Sequence, residues 1–205
     1  TQGVSSAASD VYKRQQYCFD KNGKVLHTLA IDPEDIRLLM QLQKEEPFPC
    51  LIAEGRECFA ATPAKHIEDH FLRHNLLSPP VYDILRADCH EVYQLMVYDP
   101  EIYLPRILPP LNVRITHAVG YCYDILPQNG GKQIGIPAMA AHYGIRNDEI
   151  LVFGDGPNDV DMLRDVGFGV AMGNGCAKAK AAANYVTTDV DDDGIYRALK
   201  ELGVI

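Results

Sequence analysis

An apolar strand that runs directly into Gly-Asp-Gly-Pro-Asn-Asp leaves few folds open to a chain. Residues Val152-Phe153-Gly154-Asp155-Gly156-Pro157-Asn158-Asp159 form such a junction. Gly154 and Gly156 let the backbone turn tightly and come close to a ligand. A helix start at Asn158 turns exposed N–H groups toward an anion. On both sides strands and helices alternate. Residues 133–143, 158–166, 177–183 and 194–202 read as helices, and 149–153, 167–172 and 185–187 as strands. Continuous apolar strands separated by helices predict a parallel, doubly wound α/β sheet. In such a sheet ligands sit beyond the carboxyl ends of the strands, so Asp155 projects into ligand space. A carboxylate beside an anion site suits Mg²⁺, which takes oxygen ligands and bridges to phosphate. A helix cap at Asn158 or Asp159 accounts for one polar residue, not for the whole run.

Upstream, Gly130-Gly131-Lys132 precedes the helix of residues 133–143. A lysine at a helix start can aim its ammonium into a phosphate site as a point charge. Most lysines after a turn are simply solvated. The position of Lys132, one helix before the Asp155 loop, gives it weight.

The preceding part has a different character. Tyr17–Phe19 and Lys24–His27 read as strands split by Lys21-Asn22-Gly23. Asp32-Pro33-Glu34-Asp35 opens a helix, with Asp32 as N-cap and proline in the first turn. Residues 49–53 and 91–97 read as strands and 64–74 as a helix, whereas three prolines between Leu104 and Val113 forbid a continuous helix there. This mixture predicts an α+β domain over residues 16–124, followed by α/β core over 125–205. Residues 1–15, rich in Ser and Ala and without periodicity, are expected to be disordered and extraneous to the fold.

Composition narrows the function. A formal net charge of −9 without a basic run argues against nucleic acid and against an anionic membrane surface. No apolar stretch approaches the roughly 20 residues that cross a bilayer, and no secretory leader is read, so the expected location is cytoplasmic. The six cysteines include no C-x-x-C pair and are expected to be reduced thiols rather than a disulfide framework.

Gly131-Lys132-Gln133, Leu151 through Leu163, Gly169-Val170-Ala171-Met172-Gly173-Asn174, and Tyr185-Val186-Thr187 through Asp193-Gly194-Ile195 together resemble the Cof-type, type IIB cap branch of the haloacid dehalogenase-like phosphatases. The resemblance implies a Mg²⁺-dependent phosphomonoesterase acting on small phosphorylated metabolites such as sugar phosphates. Its fold would be a Rossmann-like core with an inserted α+β cap. It assigns Lys132 and Asn158 to phosphate, Asp155 to the metal, and Asp159 to orienting the lysine. Lys132 and Asp159 are thereby the catalytic candidates. Gln133 departs from the family pattern, where a glycine is usual.

The same resemblance exposes a gap. The family's Asp-x-Asp-Gly-Thr, whose first Asp is the nucleophile and second the general acid/base, does not occur in the sequence. Phe19-Asp20-Lys21-Asn22-Gly23-Lys24 imitates it, and Leu51-Ile52-Ala53-Glu54-Gly55-Arg56 imitates the family's Thr-bearing motif. The stretch from Glu54 to Lys132 is too short to hold the further core elements and the cap, so both are set aside. The expectation is the C-terminal half of the core with its cap, an inactive fragment whose strand 149–153 lacks a neighbour and favours self-association. The alternative is a noncatalytic phosphate- and Mg²⁺-binding module. Two weaker patterns complete the reading. Asp189-Val190-Asp191-Asp192-Asp193-Gly194 imitates half of a calcium loop, but Lys200 stands where its closing glutamate belongs. His66, His70 and His74 share a helical face, read as solvated rather than zinc-binding.

Overall fold

A computed structural model describes residues 16–73, 75–119 and 121–205. The expectation for residues 1–15 therefore falls outside the described residues. The chain forms two compact units. One takes residues 16–18 and His27–Gly130, the other Phe19–Leu26 and Gly131–Ile205. A two-stranded sheet pairs β1 (Tyr17–Phe19) with β2 (Val25–Thr28).

In the first unit, α1 (Pro33–Glu45) starts as its sequence dictates. The carboxylate of Asp32 accepts the N–H of Glu34 at 2.8 Å, Pro33 occupies the first turn, and Glu34 and Asp35 face the positive end of the dipole. Its apolar stripe buries Ile36, Leu39 and Met40, and the buried Gln43 satisfies its amide on both backbone groups of Phe48. Next come β3 (Cys50–Glu54), β4 (Glu57–Ala60), α2 (Lys65–Arg73), β5 (Gln94–Tyr98), α3 (Pro100–Ile107), β6 (Val113–Val119) and β7 (Cys122–Pro127). The five strands make an antiparallel sheet in the order β4-β3-β5-β7-β6.

Alternation along the strands sends Ile52, Leu95, Val97 and Ile125 to one core and Leu51, Met96, Tyr98 and Cys122 to another. Residues 104–113 are not one helix: α3 continues through Pro105 and ends at Ile107 before β6 begins at Val113.

The second unit contains α4 (Lys132–Tyr143), β8 (Leu151–Gly154), α5 (Val160–Asp165), β9 (Phe168–Ala171), α6 (Ala177–Ala182), β10 (Tyr185–Val186) and α7 (Gly194–Glu201). Its three strands are parallel in the order β10-β9-β8, with Leu163, Ala171 and Ala179 as the packed centre. This is the α/β class expected from the sequence. Two boundaries shift. Asn147–Glu149 is a 3₁₀ turn, so the strand begins at Leu151, and Pro157–Asp159 is a separate 3₁₀ turn before α5. Among the described residues β8 lies at a sheet edge, no disulfide joins any of the six cysteines, and no helix is long and apolar enough to cross a membrane.

The histidine face reads differently in the structure. His70 is buried, with its ring among those of Phe71, Tyr98 and Tyr121. The amphipathic stripe of α2 that buries Ile67 carries His70 inward with it. His66 bonds Asp99 through Nδ1 at 2.7 Å, and His74 lies outside the described residues. Among the described residues no group of three or more His, Cys, Asp or Glu side chains could hold a metal ion.

Candidate active site

The second unit gathers Lys132, Asp155, Asn158 and Asp159 at one end of β8. Asp159 is the hub. Its side chain is only 5% exposed, and both oxygens are used. Oδ1 takes the ammonium of Lys132, and Oδ2 accepts the backbone N–H groups of Asp155 and Gly156 at 3.0 Å each. A buried carboxylate needs such a set of donors to offset its desolvation. The loop therefore folds around Asp159, and this explains why the helix begins at Val160, two residues later than the sequence reading places it.

Gly154 is required by the same contact, because a Cβ there would lie 2.6 Å from Cβ of Asp159. Lys132 opens α4 directly after Gly131, whose φ of +150° lies outside the usual range of L side chains. The Gln133 side chain fills the space beside Gly131, where a Cβ would meet its Oε1 at 2.3 Å. Asn158 folds over Gly156, its Oδ1 2.5 Å from where a Cβ would stand. Asp155 is exposed. Its carbonyl accepts the N–H of Cys176 at 2.8 Å, and its Oδ2 receives the amide of Asn174 at 3.4 Å. Asn174 lies in one of the family-like stretches, yet the sequence reading gives it no role, although the glycines on either side of it mark a tight loop.

The two imitation motifs are committed elsewhere. Asp20, 6% exposed, binds the N–H groups of Asn22 and Lys24 through Oδ1 at 2.9 and 2.8 Å, and its Oδ2 lies 3.5 Å from Nε2 of His142. Its carboxyl is held below the usual range, first by the Lys24 N–H, then by that of Asn22 and by the charges of His142 and Lys24, against the opposing effect of burial. Glu54 ends β3 in the other unit and pairs with Arg86 at 2.8 Å.

The strand-tip loop of this parallel sheet thus sets the exposed carboxylate of Asp155 beside a partly buried lysine–carboxylate couple, in an α/β protein. The chain belongs to the haloacid dehalogenase-like hydrolases, matching that family over residues 16–199. Its fold is similar to that of the HAD subclass IIB sugar phosphatase BT4131, with a TM-score of 0.84 and 30% identity over 94% of this chain and 74% of that one. It is 40% identical over 130 residues to the 5-amino-6-(5-phospho-D-ribitylamino)uracil phosphatase YitU of Bacillus subtilis, covering 63% of this chain and 47% of YitU. It is 38% identical over 211 residues to the chloroplastic endoribonuclease YBEY of Arabidopsis thaliana, covering 96% of this chain and 35% of that protein. The chain thus spans less than half the length of either curated relative.

Proposed function

We propose that this sequence encodes the phosphate- and metal-binding half of a Mg²⁺-dependent phosphomonoester hydrolase acting on small phosphorylated metabolites, sugar phosphates among them. The observation that carries the reading is the Lys132–Asp159–Asp155 assembly. Asp159 holds the ammonium of Lys132 in place by charge, and the same carboxylate fixes the backbone that presents Asp155. Lys132 supplies a positive charge to phosphate oxygens, and Asn158 supplies an amide donor at the same loop. Preorganised donors of this kind stabilise charge that develops during phosphoryl transfer.

The donor set fits Mg²⁺ in the mode that ion prefers, with one or two carboxylates and the remaining positions left to water and phosphate oxygens. Asp155 is exposed and contributes a hard oxygen ligand. Mg²⁺ bound there would neutralise charge on a phosphoryl oxygen. Residues 16–124 are read as the cap that selects the substrate. YitU is named a 5-amino-6-(5-phospho-D-ribitylamino)uracil phosphatase and BT4131 a sugar phosphatase, and the acidic charge of this chain agrees with a small substrate rather than nucleic acid.

The 205-residue chain contains no Asp-x-Asp-Gly-Thr, and Asp20 is engaged by its own turn. We therefore propose that this polypeptide binds phosphate and divalent metal without turning over phosphate esters. The test is binding of inorganic phosphate in the presence of Mg²⁺, followed by calorimetry. Lys132→Ala is expected to remove most of the binding heat. Equal binding by the wild type and Lys132→Ala overturns the reading.

A further inference from the structure

We infer that Asn174 is a positioning residue that holds the Asp155 carboxylate and is itself anchored by the acidic loop of residues 189–193. The inference rests on the reading of Asp155 as a cation ligand.

Three loops of the second unit interlock around Asn174. On one side Cys176 donates its N–H to the carbonyl of Asp155 at 2.8 Å, and on the other Gly173 donates to the carbonyl of Thr188 at 3.0 Å. No side chain fits at either flanking position. A Cβ on Gly173 would stand 2.5 Å from the nitrogen of Asp189, and one on Gly175 2.8 Å from the oxygen of Met172 and 3.2 Å from Cα of Asp155. Residues 173–175 are therefore a backbone wedge between the two loops, and the Asn174 side chain bridges the same two neighbours. Its Oδ1 accepts the N–H of Val190 at 3.2 Å, and its Nδ2 donates to Oδ2 of Asp155 at 3.4 Å. Chemistry fixes the orientation of that amide: only its oxygen can accept from Val190, which turns its NH₂ toward the carboxylate.

The anchor is firm. The hydroxyl of Thr187 donates to the carbonyl of Gly194 at 2.7 Å, that of Thr188 to the carbonyl of Asp192 at 3.2 Å, and the N–H of Gly194 to the carbonyl of Asp189 at 3.1 Å. The aspartate run that imitates half of a calcium loop thus serves as a closed turn presenting one N–H. An exposed carboxylate on a turn samples several rotamers. A donor on one of its oxygens selects among them and turns the other oxygen toward a cation. Such outer contacts typically change metal affinity by about 10–100-fold.

The experiment measures Mn²⁺ binding to the full chain by the electron paramagnetic resonance signal of the free ion, with circular dichroism as the check on folding. Four proteins are compared: wild type, Asp155→Ala, Asn174→Ala and Val190→Pro. Proline at Val190 removes only the anchoring N–H. Val190 opens a 3₁₀ turn, where proline is tolerated, and Asp189 at φ −61° and ψ 158° already has the extended backbone required before proline. Asn174→Ala is expected to weaken Mn²⁺ binding about tenfold, the low end of that range for an exposed ligand. Val190→Pro is expected to weaken it in the same direction by a smaller factor, and Asp155→Ala to abolish it. If Asn174→Ala and Val190→Pro both bind Mn²⁺ as tightly as the wild type while Asp155→Ala does not, the inference is overturned and the reading of Asp155 stands. A lower melting temperature with unchanged Mn²⁺ affinity overturns it equally, since that is a merely structural role. If Asp155→Ala binds as the wild type does, the reading of Asp155 fails and the inference with it.

Discussion

The ammonium of Lys132 and the carboxylate of Asp159, 27 positions apart in the sequence, meet at the end of β8, where the Asp159 side chain is 5% and the Lys132 side chain 27% exposed. One contact thus fixes the cationic end of α4 and the loop that carries Asp155. It makes the site's electrostatics and the unit's stability the same problem.

Asp159→Ala is expected to destabilise the second unit by about 2 kcal/mol. Removing one partner of a fully buried pair costs roughly 3–5 kcal/mol, and the partial exposure of Lys132 lowers that figure because water solvates the orphaned ammonium. Asp159→Asn keeps one acceptor oxygen and is expected to lose about half as much. Urea unfolding of the three proteins checks the ranking.

Gly154→Ala is expected to cost about 1–3 kcal/mol, the usual range for overpacking. The added methyl would press on Cβ of Asp159 at 2.6 Å, and a rigid, buried hub gives way poorly. The companion Gly144→Ala meets no atom within 4 Å but sits at φ +66°, so its cost is backbone strain alone. Thermal unfolding reads both losses and phosphate calorimetry separates the two: Gly154→Ala is also expected to weaken phosphate binding, and Gly144→Ala is not.

Much of this site was legible, and the reasons are local. Glycine next to an acid at a strand end has few structural uses, so the Asp155 loop stands out in the sequence. The cap of α1 at Asp32 follows from side-chain chemistry within four residues. The link between Lys132 and Asp159 has no local signal, and only the resemblance to the family points to it. The antiparallel sheet is only half legible in the sequence. The short strand β4 and the pair β6–β7 escaped because Glu57–Ala60 is brief and the prolines near Leu108 obscure the alternation that starts at Val113. The burial of His70 has no local signal, because it comes from Tyr98 and Tyr121, which lie far away in sequence.

Acid is expected to loosen the β1–β2 turn. The Asp20 carboxyl is lowered by folding, so folding favours its ionised form. Its contribution is complete above the unfolded value of about 3.9 and is lost as pH falls through the lower folded value. Asp20→Asn is expected to flatten the pH dependence of stability below about pH 4. Denaturation midpoints measured down the acid range, for wild type and variant, check the sign.

The thiols are expected to react in order of burial. Cys50 is fully buried, and desolvation pushes its thiol up to about 12, whereas Cys89 is exposed. The thiolate is the reactive form. Labelling with an aromatic disulfide reagent at pH 8 is expected to modify Cys89 in the native protein and Cys50 only after unfolding, as mass mapping of the labelled peptides would reveal.

The most direct test of the central claim, a phosphate- and metal-holding half-site without its nucleophile, is hydrolysis of a generic aryl phosphate by the purified 205-residue chain with Mg²⁺. The expected result is no turnover above the buffer rate, in the wild type and in Asp155→Ala alike. Turnover by the wild type that disappears in Asp155→Ala would contradict the account, because it requires a nucleophile within this chain.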